Sequence, residues 1–85
     1  MKVKKPVRLE LNNSGSWKVL GRFDAADDCM AEIVMNTSEQ LIKTLNNGEP
    51  RCPTLRISVD DGLGAVLTRW SLESGWIDAL TGLPV

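Results

Sequence analysis

The chain has 85 residues, 42% hydrophobic and 25% charged, and ten basic against eleven acidic side chains leave a net charge of −1. That length suits one small domain and leaves no room for a second core. The composition excludes whole-chain disorder, and the charge gives no general pull on nucleic acid or anionic lipid.

No run approaches the ~20 apolar residues that span a bilayer. The N-terminal lysines lack the apolar core of a secretory signal behind them. Two cysteines, Cys29 and Cys52, are too few for a disulfide framework. A reduced, cytoplasmic location with no membrane contact is therefore expected.

Lys2, Lys4, Lys5 and Arg8 crowd the N-terminus, and residues 1–6 read as a flexible basic leader. Residues 7–12 (VRLELN) alternate, with Val7, Leu9 and Leu11 on one side and Arg8 and Glu10 on the other, as in a strand with one buried face. The turn NNSGS (12–16) follows, tolerant of positive φ. Residues 17–23 (WKVLGRF) alternate again, setting Trp17, Val19 and Phe23 opposite Lys18 and Arg22, and close a β-hairpin.

Asp24 then has the chemistry of a helix N-cap, with Asp27 and Asp28 placed where the helix dipole favours negative charge. Over 25–45, Met30, Ile33, Val34, Thr37, Leu41 and Leu45 recur at three or four residues and predict the buried face of a helix. Cys29, inside it, reads as a small buried hydrophobe. Thr37 and Gln40 match a capping box, so the pattern allows one long helix kinked near 36–38 or two in succession. Gly48 suits a left-handed C-terminal cap, and Pro50 and Pro53 forbid continuation.

Residues 54–60 (TLRISVD) and 65–71 (AVLTRWS) supply the third and fourth strands. An Asp61-Gly62 turn of two residues would set Val59 opposite Gly64, Ile57 opposite Val66 and Leu55 opposite Thr68. Val66, Thr68 and Trp70 then face the helix, whereas one more loop residue would bury Arg69. In the last fifteen residues Leu72, Trp76, Leu80 and Leu83 share a helical face, so a short C-terminal helix is predicted. The expected fold is one α+β domain over 1–85: β-β-α-β-β, a four-stranded antiparallel sheet with one long helix across one face.

The chain has no histidine and no tyrosine. This removes the commonest general base and metal ligand together with the usual serine and cysteine triads. Paired Cys-x-x-Cys spacing, a glycine-rich dinucleotide motif and a phosphate-binding loop are also missing from the sequence. The clusters Asp24, Asp27, Asp28 and Asp60, Asp61 read as a helix start and a hairpin turn; a metal site at the second would need Glu10 or Glu73 as a further ligand. Cys52 beside Arg51 is the one candidate nucleophile, and no base is apparent. No enzyme, cofactor or metal is expected.

The short-loop register turns Leu63, Ala65 and Leu67 to the sheet face away from the helix, and Leu20 points the same way. Residues 71–85 either dock on that face or leave it to a partner. Leu20, Leu63, Leu67, Trp76 and Leu80 are accordingly the candidate protein interface, and Trp17 and Trp70 read as core and rim. The chain reads as a small non-enzymatic interaction module that self-associates as a homodimer or binds another protein. The alternative is a nucleic-acid-binding domain contacting phosphates through Lys4, Lys5, Lys18, Arg22, Arg56 and Arg69.

Overall fold

Each alternating run forms a strand in a computed structural model that describes residues 4–13, 15–46, 48 and 51–85. In chain order the elements are β1 (Pro6–Asn12), β2 (Trp17–Asp24), α1 (Asp28–Asn46), β3 (Thr54–Val59), β4 (Val66–Ser71) and β5 (Gly75–Asp78). All strand pairs are antiparallel, in the order β2-β1-β3-β4-β5, so the sheet has five strands where four were expected. Val7 and Leu9 of β1, Leu55 and Ile57 of β3, Trp70 of β4 and Ile42 of α1 form the buried cluster.

The fifth strand replaces the predicted C-terminal helix. Gly75, at φ 69°, lets the chain reverse after β4. Trp76 then pairs with Trp70 and donates its indole N–H to the Met35 carbonyl of α1 at 3.2 Å. The tail turns once more at Asp78, whose carboxylate accepts the Leu80 and Thr81 amides. It returns along β5 through Asp78 N to Leu83 O at 2.8 Å and Val85 N to Trp76 O at 3.2 Å. Residues 71–85 thus extend the sheet sideways instead of lying over its bare face.

The β3–β4 connection is longer than two residues. The Asp61 carboxylate accepts the Leu63 and Gly64 amides and wraps the loop around itself. Ile57 consequently faces Thr68 and Leu55 faces Trp70, two positions from the expected register. A shift of two preserves the side-chain alternation at Thr68 and Trp70, which are buried as expected while Arg69 stays exposed; Leu67 is then an extra residue, so Val66, expected toward the helix, pairs with Ser58 on the other face.

Helix α1 starts three residues beyond the expected N-cap. Asp27 is the cap, accepting the Met30 amide at 3.1 Å, while Asp24 accepts the Lys5 and Ala26 amides. The helix is continuous through 36–38, where the Ser38 hydroxyl returns to the Val34 and Met35 carbonyls and needs no other partner in the core. Gly48 has the positive φ expected of it, 82°. Pro50 lies outside the described residues.

The buried side of α1 is rotated by one residue from the expected one. Ser38 and Ile42 are buried and Val34 and Met35 pack on the core, whereas Met30, Ile33, Leu41 and Leu45 are 43%, 59%, 55% and 70% exposed. Two indole hydrogen bonds accompany this rotation: Trp76 bonds to the Met35 carbonyl, and Trp70 donates its indole N–H to Glu39 Oε1 at 3.1 Å, which turns Met35 and Glu39 toward β5 and β4. Cys29, expected to be buried, is exposed.

Strand β2 also departs from simple alternation. Leu9 faces Gly21 and Glu10 faces Val19, which leaves Leu20 as the extra residue of a β-bulge. The bulge puts Trp17 and Val19 on the sheet face opposite Phe23, although alternation grouped all three.

Candidate functional site

Two surfaces stand out: the sheet face turned away from α1, and the outer side of α1. The first was expected to be apolar and is instead polar and basic. Arg8, Arg22, Arg56 and Arg69 project from four different strands on that side, with Trp17, Glu10 and Ser58 among them.

Glu10 organises the centre of this face. Burial alone would raise its carboxyl pKa. Hydrogen bonds from Ser58 Oγ at 2.7 Å and Arg56 Nε at 3.0 Å, with the charges of Arg56 and Arg8, outweigh burial and hold Glu10 below the usual carboxylate range. The Arg56 guanidinium, fixed in this way, lies over the Trp17 ring at 4.1 Å from its centroid. A carboxylate so held is a structural anion with no proton to exchange near neutral pH.

Asp60 closes the neighbouring corner, with Arg22 Nε at 3.2 Å and Arg8 Nε at 3.9 Å from its two oxygens. The adjacent aspartates therefore divide: Asp61 shapes the loop and Asp60 gathers two arginines. Among the described residues no group of acids and cysteines is arranged to hold a metal ion. Cys52 is half-buried and packs against the core.

A shallow groove of about 270 Å³ opens on the same face, lined by Trp17, Thr54, Arg69, Ser71 and Ile77 over the edges of Leu55 and Trp70. Among the described residues Arg69 makes no ion pair, unlike the other three arginines. Of the candidate nucleic-acid contacts, Arg56 and Arg69 are cross-strand neighbours here, and Arg22 shares the face at the Asp60 corner. Lys18 does not, since it faces Leu11 on the helix side; Lys4 lies beside Arg22 at the sheet corner, and Lys5 is exposed at the entry to β1. Sequence reasoning missed Arg8 as a member, and it missed the stacking of Arg56 on Trp17 because the bulge that turns Trp17 to this face leaves no mark in the alternation.

The candidate protein-interface residues scatter. Leu20 lines a groove on the helix side with Leu9, Phe23, Met30 and Val34, contrary to its expected place beside Leu63 and Leu67. Leu63, 93% exposed, sits in the β3–β4 loop, and Leu80, 94% exposed, in the C-terminal turn. Leu67 is the extra residue where the β3–β4 register shifts. Trp76 is half-buried against the core.

The continuous apolar surface lies elsewhere, on α1. Ile33, Thr37, Leu41 and Leu45 form a ridge of four-residue steps, with Met30 and Leu20 beside it. Neighbouring exposed positions on that side, Cys29, Asn36, Gln40 and Thr44, are uncharged. Every charge of the helix, Asp28, Glu32, Glu39 and Lys43, lies on the opposite flank, where Lys43 pairs with Glu39 at 3.3 Å. No helix among the described residues is long and apolar enough to cross a membrane.

Comparison of the chain with protein-family models, curated proteins and solved structures finds no match.

Proposed function

We propose that this protein is a small non-enzymatic interaction module that self-associates through the outer side of α1. The observation that carries this reading is the exposed ridge Ile33-Thr37-Leu41-Leu45 on a side of the helix free of charge. In a two-fold contact each surface meets its own copy, so charges near the axis repel and an uncharged apolar ridge does not. Ridges of four-residue steps interdigitate with one another in the commonest mode of helix packing, at about −50°. Leu20 and Met30 widen the patch toward β2.

The area sets the strength. A 19-residue helix is about 28 Å long, and half the circumference of a cylinder ~10 Å wide is ~16 Å, which gives a patch on the order of 450 Å². Standard stable interfaces bury about 800 Å² on each partner. At little more than half that area, the contact is a small one, in exchange between dimer and monomer.

Sedimentation velocity from low to high micromolar protein, with reductant present because Cys29 is exposed, tests this. The expected result is a concentration-dependent dimer that Leu41→Asp abolishes and Leu63→Asp leaves intact. A strict monomer throughout, or a dimer lost with Leu63→Asp and kept with Leu41→Asp, would overturn it.

A further inference from the structure

The sheet face opposite α1 carries a second, independent binding chemistry. Four arginines, Arg8, Arg22, Arg56 and Arg69, stand there against two carboxylates, Glu10 and Asp60, and both carboxylates are engaged by three of the arginines. The face is thus net positive in a chain whose total charge is −1. Beside the unpaired Arg69 lies the groove of about 270 Å³ that reaches the Trp17 ring. That volume falls just below the ~300 Å³ at which sites for drug-sized ligands begin, so it suits one flat group and not a whole cofactor.

We propose that this face binds single-stranded nucleic acid, with one base against Trp17 in the groove and the flanking phosphates on Arg69 and its cross-strand neighbour Arg56. Trp17 is already positioned: Arg56 covers it at 4.1 Å, and Glu10 fixes Arg56 at 3.0 Å. An aromatic ring so placed accepts any base by stacking, since every base has a π-face. Duplex DNA keeps its bases stacked inside and offers this groove nothing flat. An acidic peptide would satisfy the arginines and leave the groove unused. Neither the ridge of α1 nor self-association enters the argument.

Fluorescence anisotropy of a labelled oligothymidine at low salt provides the test. Matched duplex DNA, heparin and an acidic polypeptide serve as competitors. Binding is expected to weaken with salt, with a log–log slope of about −1.4 for two phosphates at ~0.7 each. Trp17→Leu is expected to weaken binding by roughly 5- to 150-fold, the range of a lost base stack, with Trp17→Phe close to the original protein. Arg69→Ser should lower the slope by about 0.7, while Lys43→Ser, on the far side, changes nothing. Urea melts of the variants establish that each is folded. Absence of binding at low salt overturns the proposal. So does competition by heparin or the acidic polypeptide equal to that by the oligonucleotide, with no effect of Trp17→Leu.

Discussion

Replacing Ile42 and Leu41 by alanine, one at a time, tests the rotation of α1 on which its exposed ridge depends. The residues are neighbours on one helix, yet Ile42 is 6% exposed and Leu41 55%. Truncating a buried isoleucine removes its transfer energy and leaves a cavity, for about 3 kcal/mol. Leucine at 41 has lost under half of its surface to the fold, so truncation forgoes on the order of 1 kcal/mol, and the better helix propensity of alanine returns a few tenths. The difference of about 2 kcal/mol corresponds to roughly 8–16 °C in Tm for a domain of this size. It is also a large share of the ~5–10 kcal/mol total expected for such a chain. Urea denaturation followed by tryptophan fluorescence measures both variants at a protein concentration low enough to keep the monomer. Ile42→Val, expected to cost about 1 kcal/mol, keeps the measurement usable if the alanine variant is largely unfolded. Equal costs at 41 and 42, or a larger one at 41, would show that the helix presents the face expected from sequence and would remove the ridge from the surface.

Three further outcomes follow from the same packing. Gly64→Ala should destabilise by about 1–3 kcal/mol in thermal melts, because φ is +61°, a conformation strained for any L side chain, while the flexible end of Arg8, 2.7 Å from the new Cβ, can move aside; Gly62→Ala meets open space and should change little. Glu10→Gln should cost about 1–3 kcal/mol at neutral pH by leaving Arg56 and Ser58 poorly matched. Because Glu10 is held below its ordinary pKa, its stabilisation is present above the normal carboxylate range and is lost as pH falls through the lowered value. The stability difference between wild type and variant should therefore shrink in acid; a difference independent of pH down to acid unfolding would contradict the assignment. Deleting residues 83–85 removes two main-chain bonds to β5, so amide exchange at Asp78 should accelerate while β1 and β3 remain protected.

Most of the fold could be read from alternation and helical spacing, and its failures have physical causes. The runs VRLELN, TLRISVD and AVLTRWS are long enough for period two to show, and they became β1, β3 and β4. Strand β5 has four residues, too few to alternate visibly, and the chance spacing of Leu72, Trp76, Leu80 and Leu83 imitates a helix. Once that strand is missed, the indole bonds of Trp70 and Trp76 to α1 are missed too, and the apolar positions of the helix are assigned to the wrong side. The bulge at Leu20 has the same character, because one extra residue exchanges the faces of Trp17 and Val19 and no residue type announces it. At the candidate site the outward arginines of β2, β3 and β4 were legible. The union of Arg56, Glu10 and Trp17 depends on strand order and register, which no local pattern carries.

The placement of β1 between β2 and β3 also governs how the chain reaches this state. Glu10 meets Arg56 and Ser58 at sequence separations of 46 and 48, whereas the β1–β2 hairpin and the β3–β4–β5 meander are local. Neither piece owns the core: Val7 and Leu9 come from the first, Leu55, Ile57 and Trp70 from the second, and Ile42 from the helix between them. A two-stranded hairpin is marginal alone in water, so the early segment gains persistent structure only when the later one arrives. In a refolding experiment closing the long β1–β3 loop is expected to be the slow step, and hairpin and meander to be lost together in one transition.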